Sequence, residues 1–256
     1  MNRFDVEAFI DRQPIGRNQL VVLLVCGLVC FIDGFDIFMI GKIAPAIAAD
    51  FGQPPEAMAF LFVCQQIGLA AGAFLVSPLA DRFGRRRMLI WCCAAFGAIT
   101  LGSVYAQTLD QLAILRGIAG LFMAAGLPMA LALIAETTPD RRRSTFIALS
   151  LAGYSSGSAA SGAVAAWLID LYGWESGFWI GGIVPLLCIP LLMFFVPESI
   201  KFRAERNPND PTIAGTLRGL DPGIELKGDE VFVLGEGNEK GRKARLTDIF
   251  SEGGDG

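Results

Sequence analysis

Long apolar runs fill most of the chain up to residue 196, and short polar connections separate them. A helix needs about 20 residues to cross a bilayer core of about 30 Å. Each crossing segment must be helical, because lipid satisfies no backbone hydrogen bond. The pattern therefore predicts an all-α bundle of six transmembrane helices, at 19–41, 57–79, 88–106, 111–134, 144–169 and 176–196.

Basic residues cluster in alternate connections. Arginines follow the second predicted helix at 82–87 and the fourth at 141–143, and further basic residues follow the sixth at 201–206. The remaining three connections contain only one basic residue, Lys42. Since cytoplasmic loops carry the excess of Lys and Arg, the pattern predicts a multi-pass membrane protein with both termini in the cytoplasm.

The composition becomes polar from Glu198 onward. Residues 229–234 are a candidate short strand and residues 212–220 a candidate short helix, but the surrounding Gly, Pro and charged residues leave both open. The sequence thus predicts a cytoplasmic segment 1–18, a bundle 19–196, and a cytoplasmic loop or tail 197–256.

The composition argues against several classes of function. Apolar residues make up 53% of the chain. This is more than a soluble domain can bury in one core, so part of the apolar surface is expected to contact lipid. The net charge of −4 and the absence of a basic stripe argue against a nucleic-acid partner. No histidine is present, which weakens an enzyme, zinc or haem interpretation, and we predict no metal or cofactor. The cysteines fit small core positions, without a CxxC pair: Cys26, Cys30, Cys64, Cys92, Cys93 and Cys188.

Three ionisable residues lie inside predicted spans: Asp33, Asp36 and Arg116. Each costs about 2.5–3.5 kcal/mol on insertion scales, so each needs a partner or a wet cavity. Asp36 and Arg116 lie at similar depths, about 8–9 Å below the outer ends of the first and fourth helices. An ion pair between them is therefore predicted, either to bind substrate or only to hold the two helices together.

Asp33 lies at position i relative to Asp36 at i+3, on the same helix face. It has no obvious cationic partner, and a lone carboxyl group in a low dielectric favours its neutral form. The sequence therefore suggests Asp33 as a proton carrier. Three aromatic side chains are candidates for stacking on a substrate ring, although packing is the commoner role in membrane helices: Phe35, Phe38 and Tyr154.

The connection after the second helix, SPLADRFGRRR, has a distinctive arrangement of an acid, a glycine and arginines. It resembles the loop 2–3 signature of the major facilitator superfamily, with Ser77 where that family usually has glycine. The matching residues are Asp81, Arg82, Gly84, Arg85 and Arg86. Further similarity lies in ETTPDRRRS, which includes Glu136 and Arg142 in loop 4–5, and in PES at 197–199.

Within that superfamily, DGFD followed by Gly41 and Pro45 is similar to the aromatic acid:proton symporters. The resemblance implies import of small aromatic carboxylates across a bacterial inner membrane, coupled to protons. It implies proton coupling by Asp33 and Asp36, and helix or substrate binding by Arg116. It also implies that Asp81 gates the inner face.

The superfamily fold has two six-helix halves with the substrate site between them. This chain supplies one half, and its final residues, RLTDIFSEGGDG, resemble the stretch before a seventh helix. We therefore expect the amino-terminal half of a twelve-helix transporter whose partner is the missing half, with an apolar face on helices 1, 2, 4 and 5. The alternatives are a half-transporter working as a homo- or heterodimer, a carrier of sugars or other organic anions, and a membrane enzyme or sensor.

Overall fold

The computed structural model describes residues 2–207, 210–220, 224 and 230–233. The fold is mostly helical, and a two-stranded parallel sheet pairs β1 (Asn2–Asp5) with β2 (Glu230–Val233). The helices are α1 (Val6–Arg12), α2 (Arg17–Asp50), α3 (Met58–Leu75), α4 (Ser77–Phe83), α5 (Arg85–Ser103), α6 (Leu109–Met123), α7 (Gly126–Thr137), α8 (Asp140–Tyr172), α9 (Glu175–Phe195), α10 (Ile200–Arg206) and α11 (Pro211–Leu220).

Within the described residues, four helical stretches are long and apolar enough to cross a membrane: Arg17–Asp50, Pro55–Phe83, Leu109–Thr137 and Glu175–Phe195. Of the other two predicted spans, 88–106 falls largely in α5 and 144–169 falls wholly in α8. Both helices begin with three or more charged residues, and α8 is also rich in serine and glycine. Their lower apolar content separates them from the other four.

The first membrane helix is longer than the sequence predicted. We placed its outer end at Gly41, but α2 continues through Pro45 to Asp50. Proline cannot donate to the carbonyl group one turn earlier, which normally interrupts a helix. Here Ile43 and Ile47, one turn apart, are both fully buried and hold the segment against the bundle. Lys42 therefore lies inside a helix and not in a loop.

Proline also explains the divisions within two other predicted helices. The fourth is interrupted between α6 and α7, at residues 124 and 125. Pro128 has no N–H group to donate to the carbonyl of Ala124, and its ring would crowd that carbonyl. In the second helix, Pro78 likewise follows the division between α3 and α4. The break in the fourth helix matters for the site, because it creates a new helix amino terminus inside the bundle.

Glycines allow two helix pairs to pack closely. A side chain at Gly34 on α2 would overlap the carbonyl group of Tyr154 on α8. A side chain at Gly68 on α3 would overlap the carbonyl group of Gly117 on α6. The small residues thus bring the first helix against the fifth and the second against the fourth, as small-residue packing in membranes predicts.

Exposed apolar side chains are not confined to the helices that we expected to meet a second half. Phe74 on α3 and Phe194 on α9 are both 81% exposed. The sixth helix, α9, also exposes Leu187 and Phe195. The apolar face predicted on helices 1, 2, 4 and 5 therefore cannot be distinguished from the rest of the surface. Side chains that face lipid are as apolar as side chains that would face a second half.

The two ends of the chain form a small packed unit, which we call the terminal-segment cluster. The candidate helix 212–220 and the candidate strand 229–234 coincide with α11 and β2, whereas the sequence did not predict α10. Each segment alone is short and has few apolar residues, but together they bury one core. That core consists of Val6, Ile10, Ile200, Ala204, Ile213, Leu217 and Phe232. Asp229 and Leu234 of the predicted strand, and the final stretch 245–256, lie outside the described residues.

The terminal-segment cluster lies at the end of the bundle that carries the arginine-rich connections. The backbone N–H of Asp140 donates to Asp11 at 2.8 Å, and Arg141 donates to the carbonyl of Gln13 at 3.1 Å. Arg206 reaches the carbonyl of Arg82 at 3.5 Å. We call this end of the molecule the arginine end.

Candidate functional site

The structure brings Asp36 on α2 and Arg116 on α6 together, as their depths predicted. Arg116 Nη1 donates to Asp36 Oδ1 at 3.3 Å, and Nη2 contacts Oδ2. The Arg116 side chain is only 1% exposed, and its guanidinium carbon lies 5.4 Å from the centre of the Phe178 ring. The two charges thus form a buried, two-point ion pair with an aromatic ring beside it.

Asp33 lies one turn before this pair, in a different environment. It is 7% exposed, and its Oδ2 has no hydrogen-bond partner within the part of the chain that the structure describes. A side chain at Gly126, the first residue of α7, would lie 2.8 Å from that oxygen. The first N–H groups of a helix lack intrahelical acceptors and carry partial positive charge. Asp33 therefore approaches the amino end that the Pro128 break creates.

A narrow cavity adjoins Asp33. Its water-sized space is about 10 Å³, close to the minimum for one water molecule. Apart from the Asp33 carboxyl group, the lining side chains are apolar or thiol-bearing, so the carboxyl group meets mostly apolar surroundings. They are Val29, Ile32, Cys92, Cys93, Phe96, Phe122, Met123 and Pro185, together with Gly126.

The aromatic candidates separate by exposure. Phe35 is buried, whereas Phe38 is 43% exposed. Phe38 and Tyr154 of α8 pack edge to face, with ring centres 6.2 Å apart. The structure thus leaves the Phe38–Tyr154 pair accessible and places Phe35 in the core.

Lys42 was not among the predicted site residues. Its Nζ donates to the carbonyl of Ser158 at 2.6 Å and to Ser161 Oγ at 2.7 Å. Its position one helical turn beyond Phe38 was visible in the sequence, but the helix was predicted to end at Gly41. A longer first helix would have placed Phe38 and Lys42 on one face.

The superfamily-like residues after the second helix meet those of loop 4–5. Arg85 forms an ion pair with Glu136, and its Nη2 lies 3.7 Å from Asp81. Glu136 is buried, whereas the Asp81 side chain is 74% exposed. Arg142 is exposed, and its neighbour Arg143 makes the local contacts, to Asp140 and to the carbonyl of Ala135 at 2.9 Å.

Glu198, in the PES motif, has a role that sequence reasoning missed. Its carboxylate accepts from the backbone N–H groups of Arg86 at 2.9 Å and Arg87 at 3.4 Å. These donors belong to the first turn of α5, so Glu198 caps that helix from a distant part of the chain. Gly84 makes room for it: φ is 99°, and a side chain there would lie 2.6 Å from Glu198 Oε2.

Arg86 itself binds the end of α9. Its Nε donates to the carbonyl of Leu192 at 3.2 Å, and Nη2 donates to the carbonyl of Met193. Carbonyl groups in the last turn of a helix lack intrahelical donors. Arg86 at the start of α5 therefore contacts the end of α9, and Glu198, just after α9, contacts the start of α5.

Comparison with known proteins places these sites in a family. The chain is 39% identical over 220 residues to the 4-hydroxybenzoate transporter PcaK of Pseudomonas putida, covering 86% of this chain and 49% of the relative. It is 35% identical over 248 residues to a gallate transporter of Pseudomonas putida, covering 97% of this chain and 55% of the relative. The chain thus spans about half the length of the curated relatives that it matches.

A solved structure shares the fold. The proton:xylose symporter XylE, bound to 6-bromo-6-deoxy-D-glucose, superimposes with a TM-score of 0.70 at 21% identity, over 79% of this chain and 50% of that chain. At this identity the likeness shows the fold alone. The sequence profile of the Major Facilitator Superfamily matches residues 26–243. The resemblance seen in the loop motifs is therefore confirmed, and the chain belongs to the Major Facilitator Superfamily.

Proposed function

We propose that this chain forms the amino-terminal six-helix half of a proton-coupled importer of small aromatic carboxylates. The observation that carries the proposal is the group of three buried ionisable residues, Asp33, Asp36 and Arg116, between α2, α6 and α7. Such groups are expensive within a membrane and mark ion or substrate pathways. The similarity to transporters of 4-hydroxybenzoate and gallate supports the substrate class.

The proposed mechanism assigns different roles to the two acids. Asp36 neutralises Arg116 and joins α2 to α6. Asp33 carries the proton: its charged form is attracted to the amino end of α7, and its neutral form is not. Protonation would then release α2 from α7 and change the relative stability of the two access states. A proton shifts this equilibrium only if it binds the two access states with different affinities. The contact between Asp33 and the amino end of α7 would give it that difference.

The proposed topology has six spans with both termini in the cytoplasm of a bacterial cell. In favour of six, α5 and α8 are helices of 19 and 33 residues. In favour of the orientation, the arginine-rich connections and both terminal segments meet at the arginine end. The substrate would lie between this bundle and a second half, as in other two-half carriers.

The test uses the full-length transporter that contains this chain, reconstituted in liposomes. Uptake of radiolabelled 4-hydroxybenzoate should rise when the outside is acidified and fall to equilibration when a protonophore is added. Unlabelled gallate and benzoate should compete, and xylose should not. Uptake that ignores the proton gradient would contradict the coupling, and competition by xylose alone would contradict the substrate class.

A further inference from the structure

Lys42 is an accessible cation beside an accessible aromatic pair. It is exposed on α2, and its ammonium group is held by two oxygens of α8, from Ser158 and Ser161. An ammonium group has three N–H donors. Among the described residues, these two contacts use two of them. One donor therefore remains for an incoming acceptor.

The position of this ammonium group is well defined. A side chain at Gly162 would lie 3.1 Å from Lys42 Nζ, so the absence of one gives the lysine room to lie along α8. The contacts to Ser158 and Ser161 fix its end and reduce the conformational freedom that a lysine usually loses on binding. The cation is thus placed in advance of any ligand.

Phe38 and Lys42 are one helical turn apart, about 6 Å along α2. The Phe38–Tyr154 ring pair joins α2 to α8, and Lys42 joins the same two helices through Ser158 and Ser161. A benzoate-type molecule has its charge and its ring separated by a few ångströms. It can therefore place its ring against the aromatic pair and its carboxylate against Lys42 at the same time.

Arg116, the cation buried inside the bundle, is not available in the same way. Its side chain is 1% exposed, and both terminal nitrogens contact Asp36. A substrate carboxylate would have to displace Asp36 to reach it. Lys42 needs no such exchange.

We infer that Lys42, Phe38 and Tyr154 form a subsite in which Lys42 binds the carboxylate and the aromatic pair binds the ring of an aromatic acid. The inference rests on the proposed function and names residues that the superfamily motifs do not include. Lys42 lies about 9 Å further along α2 than Asp36. The subsite is therefore distinct from the buried ion pair and reachable while that pair stays intact.

The experiment measures equilibrium binding to the full-length transporter containing this chain, with 4-hydroxybenzoate and cyclohexanecarboxylate as ligands. Lys42→Met should raise the Kd of both carboxylates by about 10- to 100-fold, because both lose a charge-assisted hydrogen bond. Lys42→Arg should recover part of this loss. Arg17→Met is the matched control, since it removes an exposed cation from the other end of α2, and it should leave both Kd values within about twofold.

The ring contact is tested separately. Phe38→Leu should reduce the preference for the aromatic ligand by about 3- to 10-fold, because it removes an aromatic contact and keeps Lys42. An unchanged Kd in Lys42→Met, or an unchanged preference in Phe38→Leu, overturns the subsite and leaves the proposed function standing. A wild-type transporter that binds no aromatic acid overturns the proposed function, and this inference with it.

Discussion

Charged residues inside the bundle and charged residues at the arginine end are stabilised differently. Inside, Arg116 depends on the single carboxylate of Asp36, and Asp33 has no cation among its described contacts. At the arginine end, Arg85 contacts the carboxylates of Asp81 and Glu136, and Arg86 contacts Glu198 and the carbonyl of Leu192. A buried charge with one partner loses all of its compensation when that partner changes, whereas a charge with several partners keeps most of its contacts.

The largest expected difference comes from the same acid-to-amide change in both regions. Asp36→Asn should lower the free energy of unfolding by about 3–5 kcal/mol, because it leaves the guanidinium of Arg116 buried and uncompensated. Asp81→Asn should change it by less than about 1 kcal/mol, because that side chain is 74% exposed. Denaturation of the purified chain in mild detergent measures both. Equal losses would show that the two regions do not differ.

Gly84 tests how tightly the arginine end is built. Gly84→Ala should cost about 1–2 kcal/mol, because φ is 99° and the new methyl group would meet Glu198. Gly102→Ala, near the other end of α5, is the control, since nothing lies within 4 Å of its new side chain. The control should be neutral or stabilising by up to about 1 kcal/mol. If Gly84→Ala leaves the free energy of unfolding unchanged, Gly84 and Glu198 are not in close contact.

The carboxylate of Glu198, which caps α5, should contribute less to the free energy of unfolding than the space at Gly84. Glu198→Gln removes the charge that faces the helix amino end, and we expect a loss of about 0.3–1 kcal/mol that shrinks as salt is added. Glu56→Gln, at an exposed position, is the control and should have no measurable effect. A loss that is independent of salt would indicate that packing of the side chain matters more than its charge.

The smallest effect concerns pH and the terminal-segment cluster. Hydrogen bonds from the Thr212 hydroxyl and backbone N–H hold the pKa of Asp210 below its usual value near 3.8. The charged form is favoured in the folded state, so its contribution is complete above the unfolded pKa and is lost as the pH falls through the lowered value. The protection factors of the α11 amides, which correct for the pH dependence of intrinsic exchange, should therefore stay constant from about pH 8 to 5 and decrease only below about pH 4. Asp210→Asn should remove this step, and a transition near pH 6 would point to a different group.

The sequence was sufficient to predict the ion pair between Asp36 and Arg116. Helical rise and the ends of two apolar runs placed Asp36 and Arg116 at one depth, and burial left each charge only the other as a partner. The loop motifs were also sufficient for the superfamily. These features depend on local periodicity and on a strong energetic penalty, both of which a single sequence shows.

The features that sequence reasoning missed depend on contacts between distant segments. Ile43 and Ile47 carry α2 past Pro45, so Lys42 was misplaced. Glu198 caps a helix that begins more than a hundred residues earlier in the chain. The terminal-segment cluster pairs β1 with β2, which lie at opposite ends of the described chain, and no local pattern predicts that pairing.

The central claim is that Asp33 carries the coupled proton, and Asp33→Asn tests it most directly. The amide keeps the shape of the carboxyl group but cannot release a proton. In liposomes containing the full-length transporter, this variant should still exchange internal for external 4-hydroxybenzoate, and it should no longer accumulate the substrate when a proton gradient is imposed. Accumulation against a concentration gradient by Asp33→Asn, at the level of the unmodified transporter, would contradict the account.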